Sequence, residues 1–270
     1  MSTSEASAPR WLAALPAVLL VAVAAWETCA TRRDATSVPG DDAWTAAEAV
    51  VRAQHQPGDL IVFAPAWVDP VGRLHLGDLI SVDDAGRMDA ARYARVWELS
   101  IRGDHAPEVA GETPAFEDAS GDVLVRRYDR AAPARVVDDV RRHVPEVSPT
   151  RSVSDVYREV GFEPHACLEL SVKAGTTMRV TFPKLQLGTT LVGYVGIPDV
   201  FERRDYRDPG TLSVEIAGAT VASAIAGVDD GWVRFEAATT PGVAAVTFEV
   251  STTGKPDQHR KLCFAAEARE

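Results

Sequence analysis

The chain has 270 residues, 46% of them hydrophobic and 25% charged, with a formal net charge of −11. Such an acidic balance argues against nucleic acid, which selects basic surfaces, and against electrostatic docking on anionic lipid. Its 3 cysteines are too few for a disulfide scaffold; no CxxC or His/Cys cluster indicates zinc, and nothing in the sequence calls for a cofactor.

The first element is Trp11–Trp26, sixteen residues without a charge, bracketed by Arg10 and Glu27. A membrane-spanning helix needs about 20 apolar residues at about 1.5 Å each, and interfacial Trp at both ends suits a short one. A cleaved signal peptide also fits, with Arg10 ahead of the apolar run and the small residues Ala22-Val23-Ala24 behind it. A buried core helix would show an apolar stripe, which this segment lacks. Arg32 and Arg33 oppose Arg10, so charge does not orient the segment, and Trp26-Glu27-Thr28 before Cys29 is no lipobox. Residues 1–30 therefore read as a single-pass signal-anchor, ahead of a cleaved signal, with the rest in the periplasm or extracellular space.

Residues 41–147 alternate helical and strand patterns. Ala43–Gln54 carries Trp44, Ala47, Val50 and Val51 at helical spacing and stops at Pro57-Gly58. Leu60-Ile61-Val62-Phe63 is a continuous apolar run, as in strands buried on both faces. The pattern then predicts a helical turn at Asp89–Ala94, strands at Arg95–Ser100 and Asp122–Tyr128, and a last helix at Ala134–His143. Together these make a small α/β (Rossmann-like) layer.

Beyond a hinge at Val144–Thr150, residues 151–270 follow a period of two. Met178, Val180 and Phe182, then Leu212, Val214 and Ile216, then Val233 and Phe235, then Val246, Phe248 and Val250 alternate with polar residues. Turn signals such as Asp208-Pro209-Gly210 and Pro241-Gly242 separate them, which predicts an antiparallel β-sandwich. The fold class expected is α+β with two domains behind an N-terminal membrane helix.

Two resemblances extend this reading. Trp44 with Ala46-Ala47, Gln56-Pro57-Gly58-Asp59-Leu60-Ile61-Val62-Phe63-Ala64-Pro65, Arg95-Val96-Trp97 and Val123–Tyr128 resemble the soluble C-terminal tail of bacterial glycosyltransferases of the dolichyl-phosphate-mannose-protein mannosyltransferase type. This covers roughly residues 41–145 and implies a membrane glycosyltransferase as a partner. That family's catalytic acids sit on loops between many membrane helices, so no catalytic residue carries over. Residues 155–268 resemble a galactose-binding-like jelly roll, the fold of many carbohydrate-binding modules, through Gly231-Trp232-Val233-Arg234-Phe235, Val246–Val250 and Leu262-Cys263-Phe264. That likeness implies a glycan ligand, although such folds also serve as purely structural attachments.

Strand parity puts Val233 and Phe235 inward and Trp232 on the outer face with Arg234 and Glu236, where an indole can stack on a sugar ring. Against this, a neighbouring loop covering the ring would make Trp232 a mere end-cap of the sandwich. Arg203, Arg204 and Tyr206, in the loop 197–208, offer glycan hydrogen bonds, and Asp199, Asp205 and Asp208 offer calcium ligands, though a solvated loop of internally paired charges explains them as well. Leu168, Leu170 and Val172 point inward, leaving Cys167 outside with Glu169. Cys263 lies outside with Lys261, so a disulfide between the two cysteines is possible across one face. His75, Asp78, Asp83 and Asp84 form a His–carboxylate cluster without a nucleophile, read as surface; Glu98, within Arg95–Ser100, has room at a strand end to face a cleft, but nothing selects it. The function expected is a non-catalytic, membrane-tethered protein whose sandwich binds a glycan or an envelope partner. The alternatives are an accessory subunit or degenerate relative of a lipid-linked-sugar glycosyltransferase and, more weakly, a glycan-acting hydrolase with a site between the domains.

Overall fold

A computed structural model describes residues 15–36, 38–119, 121–198, 207–255 and 257–270. Helix α1 spans Leu15–Thr36, and within it Leu15–Arg33 is long and apolar enough to cross a membrane or to serve as a signal sequence, with none of it buried. Trp11 to Ala14 lie outside the described residues. The helix continues past Trp26 because no Gly or Pro interrupts Glu27–Thr36; Thr28 Oγ1 donates to Ala24 O at 2.7 Å within it.

Helix α2, Asp41–Gln54, buries the expected face, Trp44, Ala47 and Val51, with Asp41 and Asp42 at its positive end. Strand β1, Leu60–Ala64, is buried at every position. Helix α3, Asp69–Leu76, follows with Pro70 in its first turn; a Cβ on its Gly72 would enter the Phe63 ring, so this helix packs directly on the strand. The single turn α4, Val82–Ala85, is closed by a capping box between Ser81 and Asp84. The helical turn expected at Asp89–Ala94 is absent. Its backbone is spent otherwise, with Ala91 N donating to Asp89 Oδ1 at 3.0 Å and Tyr93 N to Ala90 O at 3.2 Å.

Strands β2 (Arg95–Ser100), β3 (Phe116–Asp118) and β4 (Leu124–Asp129) complete a sheet of order β1-β2-β4-β3. Only β1 and β2 are parallel; β4 runs antiparallel to both of its neighbours. The sheet is thus mixed rather than the Rossmann-like layer expected, because only the β1–β2 connection carries helices to cross over. One face packs Phe63, Trp97 and Leu99 under Trp44, Val51 and Leu76, and the other packs Val62, Val96 and Tyr128 under Tyr93, Ala106 and Val109.

The last helix expected at Ala134–His143 is instead strand β5, Val136–Asp139, followed by a 3-10 stretch Val140–Glu146 that contains Pro145. The reason lies at the other end of the chain. Strand β14 pairs with β7 only as far as Phe264↔Leu168, leaving the edge of residues 265–269 open, and β5 fills it through Glu267↔Asp139 and Ala268↔Asp138. A tertiary partner overrides the local helical pattern.

The remaining strands are β6 (Ser154–Val160), β7 (Glu163–Lys173), β8 (Thr177–Leu187), β9 (Thr190–Gly196), β10 (Gly210–Ile216), β11 (Ala219–Ala226), β12 (Val233–Ala238), β13 (Gly242–Thr252) and β14 (His259–Arg269). They form two sheets, β11-β10-β13-β8 and β12-β9-β14-β7-β6, antiparallel throughout. The alternating apolar residues meet between them: Leu168, Val180, Phe182, Val214, Phe248 and Phe264 are all fully buried.

Cys167 and Cys263 are joined by a disulfide, with Cα atoms 5.6 Å apart. They point away from the sandwich core, yet they are not on an open surface. Both are 0% exposed, packed with Val156, Val160 and Trp232. Opening this crosslink by Cys167→Ala, Cys263→Ala, across a separation of 96 residues, is expected to cost roughly 2–5 kcal/mol of stability. Urea midpoints for the double variant and the oxidised parent measure it, and equal midpoints would contradict it.

Candidate functional site

The segment 83–91 leaves the mixed-sheet unit and lies as a strap across the outer face of the larger sandwich sheet. Its backbone is held there in register: Ala166 N donates to Gly86 O (2.7 Å), His165 Nδ1 to Arg87 O (3.1 Å) and Trp232 Nε1 to Met88 O (3.3 Å). A Cβ on Gly86 would strike Tyr157 and the Ala166 backbone, so only glycine permits this approach. Tyr157 OH donates to Asp83 (2.7 Å). Arg269, with its side chain 6% exposed, grips Asp89 with two bonds of 2.9 Å and shares Glu267. Burial pushes the Asp89 carboxyl up, but the Arg269 guanidinium and the Ala91 and Tyr194 bonds hold it below the ordinary range.

Above the strap the two units enclose a cavity of about 560 Å³ at the C-terminal end of β1, reached by Phe63 and Ala64. The ends of parallel strands are a recurrent ligand position, because side chains and loops diverge there. The mixed-sheet unit contributes Trp67, 52% exposed, with the Arg102 guanidinium 5.3 Å from its ring centre. From the sandwich comes Phe162, 74% exposed. Phe162 and Gly161 form the two-residue turn between β6 and β7, with φ of 73° and 65°. This is the geometry that lets a tight hairpin close, and for Phe it is a strained one. The same cavity is lined by Asp69, paired to Arg73 at 2.5 Å, by the Arg87–Glu108 ion pair, and by Glu163.

The wall of the cavity is a three-ring stack. His165 lies on Trp232 with centroids 4.6 Å apart and planes at 10°, and Trp232 on Tyr194 at 5.9 Å and 7°. Because a carbonyl only accepts, the His165 Nδ1 contact to Arg87 O fixes the proton on Nδ1 and leaves Nε2 an acceptor; Nε2 is buried with no partner among the described residues. Burial lowers the His165 pKa to about 4, the Arg87 carbonyl partly offsetting it and the Arg87 charge adding to it.

The structure places the residues singled out from sequence as follows. Trp232 is half-buried in the stack with its N–H spent on Met88, so it presents no open platform; the strap covers it. Arg234 is exposed and paired to Glu236 at 2.5 Å; it stands opposite Tyr194 on the neighbouring strand and is not in the cavity's lining. Arg203, Arg204 and Tyr206, with Asp199 and Asp205, lie outside the described residues. Among the described residues no group of three or more His, Cys, Asp or Glu side chains is placed to hold a metal. His75 stacks on Trp44 and contacts Glu48 at 3.2 Å, Asp78 pairs with Arg52, and Asp84 caps α4, so that cluster does not assemble. Glu98 faces no cleft. It is 0% exposed and takes bonds from Ala106 N (2.6 Å), Tyr128 OH (3.0 Å) and Arg126 (3.1 Å), with His105 between it and the cavity. The sequence reading did not select Trp67, Phe162, Glu163 or His165; the signal for Phe162 was Gly161 between two runs of period two.

A second cavity of about 380 Å³ lies beside the strap, lined by Arg87, Arg92, Arg141 and Arg142 against Asp83, Asp139, Asp155 and Glu267. Its charges match one for one, and none of these lining residues is aromatic.

No family model matches the chain, and no curated protein is similar to it. Among solved structures, the M60 catalytic domain with two CBM51 domains from Clostridium perfringens is 11% identical over 57% of this chain and 17% of its own, with a TM-score of 0.35. The tandem CBM51 modules of a family 98 glycoside hydrolase from Streptococcus pneumoniae are 10% identical over 55% of this chain and 56% of theirs (TM-score 0.33). A family 43 arabinoxylan arabinofuranohydrolase from Bacillus subtilis, in complex with cellotetraose, is 12% identical over 65% and 41% (TM-score 0.26). The chain thus spans less than two thirds of each of these proteins. The resemblance of residues 41–145 to the mannosyltransferase tail finds no support from a family model or a curated protein.

His165 gives the site a pH signature. Its folded pKa lies below the unfolded value, so its neutral state stabilises the fold fully above about pH 6.5. That contribution fades as the pH falls towards about 4. Between about pH 7 and pH 4.5 the parent is expected to lose roughly 2–3 kcal/mol more stability than His165→Phe. Denaturant midpoints at the two pH values decide it; parallel losses would contradict the assignment.

Proposed function

We propose that this chain is a membrane-tethered protein of the cell envelope that binds a saccharide in the cavity between its two units and releases it unaltered. The observation carrying this reading is that Trp67 and Phe162, two largely exposed aromatic residues from different units, line one cavity. Rings of this kind supply flat apolar faces, and the acids and arginines lining the same cavity supply the hydrogen bonds that orient sugar hydroxyls. A Phe held at positive φ on a hairpin tip costs the fold energy without burying the ring, which is a pattern more often met at ligand sites than in packing. The binding surface in this reading is the seam and not the open face of the sandwich. Tethering rests on α1, whose apolar stretch finds no packing partner in the folded body.

The full chain in detergent micelles, titrated with oligosaccharides from a glycan array, tests the proposal. Trp67→Ala and Phe162→Ala are each expected to weaken binding about 5- to 20-fold, the scale of one stacked ring. Trp232→Ala should instead lower thermal stability, since its ring is internal to the stack. Binding untouched by both cavity variants would overturn the seam as the site. Failure of every saccharide to bind, with a multi-helix glycosyltransferase copurifying from membranes, would favour the accessory-subunit reading.

A further inference from the structure

The polar groups around the cavity are not equally spent. Asp69 is neutralised by Arg73, Glu108 by Arg87, and Asp89 by Arg269. Glu163, next to Phe162 in the hairpin, makes no ion pair among the described residues. Its carboxylate is exposed and lines the cavity; partial burial raises its pKa, Glu108 and Asp69 repel it further, and Arg87 opposes them. His165 Nε2 also lacks a partner among the described residues, but it is shut off from solvent behind the ring stack, so it stands outside the reach of a ligand. The group left over toward the cavity is therefore an acceptor, an anion with Glu108 and Asp69 as neighbours. The ligand that pairs best with it brings donors and positive charge. The rings agree with this, because the Trp67 face already attracts a guanidinium, that of Arg102.

We infer that the cavity selects a saccharide carrying a free amino group, its ammonium set against Glu163 in the cavity that Trp67 and Phe162 line, an inference that rests on the saccharide reading above. A neutral or N-acetylated sugar would satisfy the stacking and leave Glu163 uncompensated; an anionic sugar would add a further like charge. The second cavity has no comparable surplus, since its four arginines face four acids.

The test compares glucosamine oligomers with N-acetylglucosamine oligomers of equal length, bound to the full chain in detergent micelles by calorimetry at about pH 6, where amines are substantially charged. A preference of about tenfold for the amino oligomer is expected, the sum of one ion pair and one cation–π contact. Glu163→Gln should cut the preference to about threefold, the share left to the cation–π contact, and Arg179→Ala, on β8 of the other sandwich sheet, should leave the parent's preference in place. Equal affinities in the parent, or a preference that Glu163→Gln leaves undiminished, would overturn the amino-group inference while leaving saccharide binding standing. If neither oligomer binds and Trp67→Ala has no saccharide binding to weaken, the saccharide reading fails and takes this inference with it.

Discussion

The grip of Arg269 on Asp89 is the contact on which the arrangement of this molecule depends. It ties the final strand of the sandwich to a segment 180 residues earlier, and both partners are largely withdrawn from water. A guanidinium in that position is tolerable only because its donors are divided between Asp89 and Glu267 in fixed, near-planar bonds. Leaving either charge alone in such surroundings costs about 3–5 kcal/mol, a sizeable share of the stability of an ordinary domain. With the strap pinned there, its carbonyls at Arg87 and Met88 meet His165 and Trp232, and the ring stack becomes a wall instead of an exposed surface. The cavity follows from that wall.

The sequence carried some of this openly. Alternation with period two over residues 178–182, 212–216 and 246–250 falls on strands whose apolar faces meet in the sandwich core, and the run at residues 60–63 is a strand buried on both sides. Such signals are local, and local propensity agrees with the tertiary outcome there. Where they failed, the missing partner lay far along the chain. Residues 136–139 carry no strand pattern of their own and pair because β14 offers an open edge more than a hundred residues later. The parity argument put Trp232 on the outer face of its sheet correctly, yet could not know that Met88 would sit upon it. Glu98 looked like a strand-end acid because nothing near it in sequence announces Arg126 and Tyr128 as its bonded neighbours.

The candidate site was less legible than the fold. Its aromatic rings sit at positions without periodicity, Trp67 between β1 and α3 and Phe162 in a two-residue turn. Only Gly161 hinted at that turn, and a glycine says nothing of what its neighbour will face. The charged groups matter through which of them are already paired, which is a property of the folded arrangement and not of composition.

The short run of residues 37–40 between α1 and α2 sets how far the folded body stands from whatever holds the helix. Four extended residues reach about 14 Å. With α1 lodged in a bilayer, the body cannot roam the way a module on a long stalk does. It samples a thin layer above the lipid, where a polymer rooted in the same surface is present at high effective concentration and a freely diffusing one is not. Weak affinity for a single sugar would then suffice for retention, since a chain anchored nearby is recaptured before it can diffuse away.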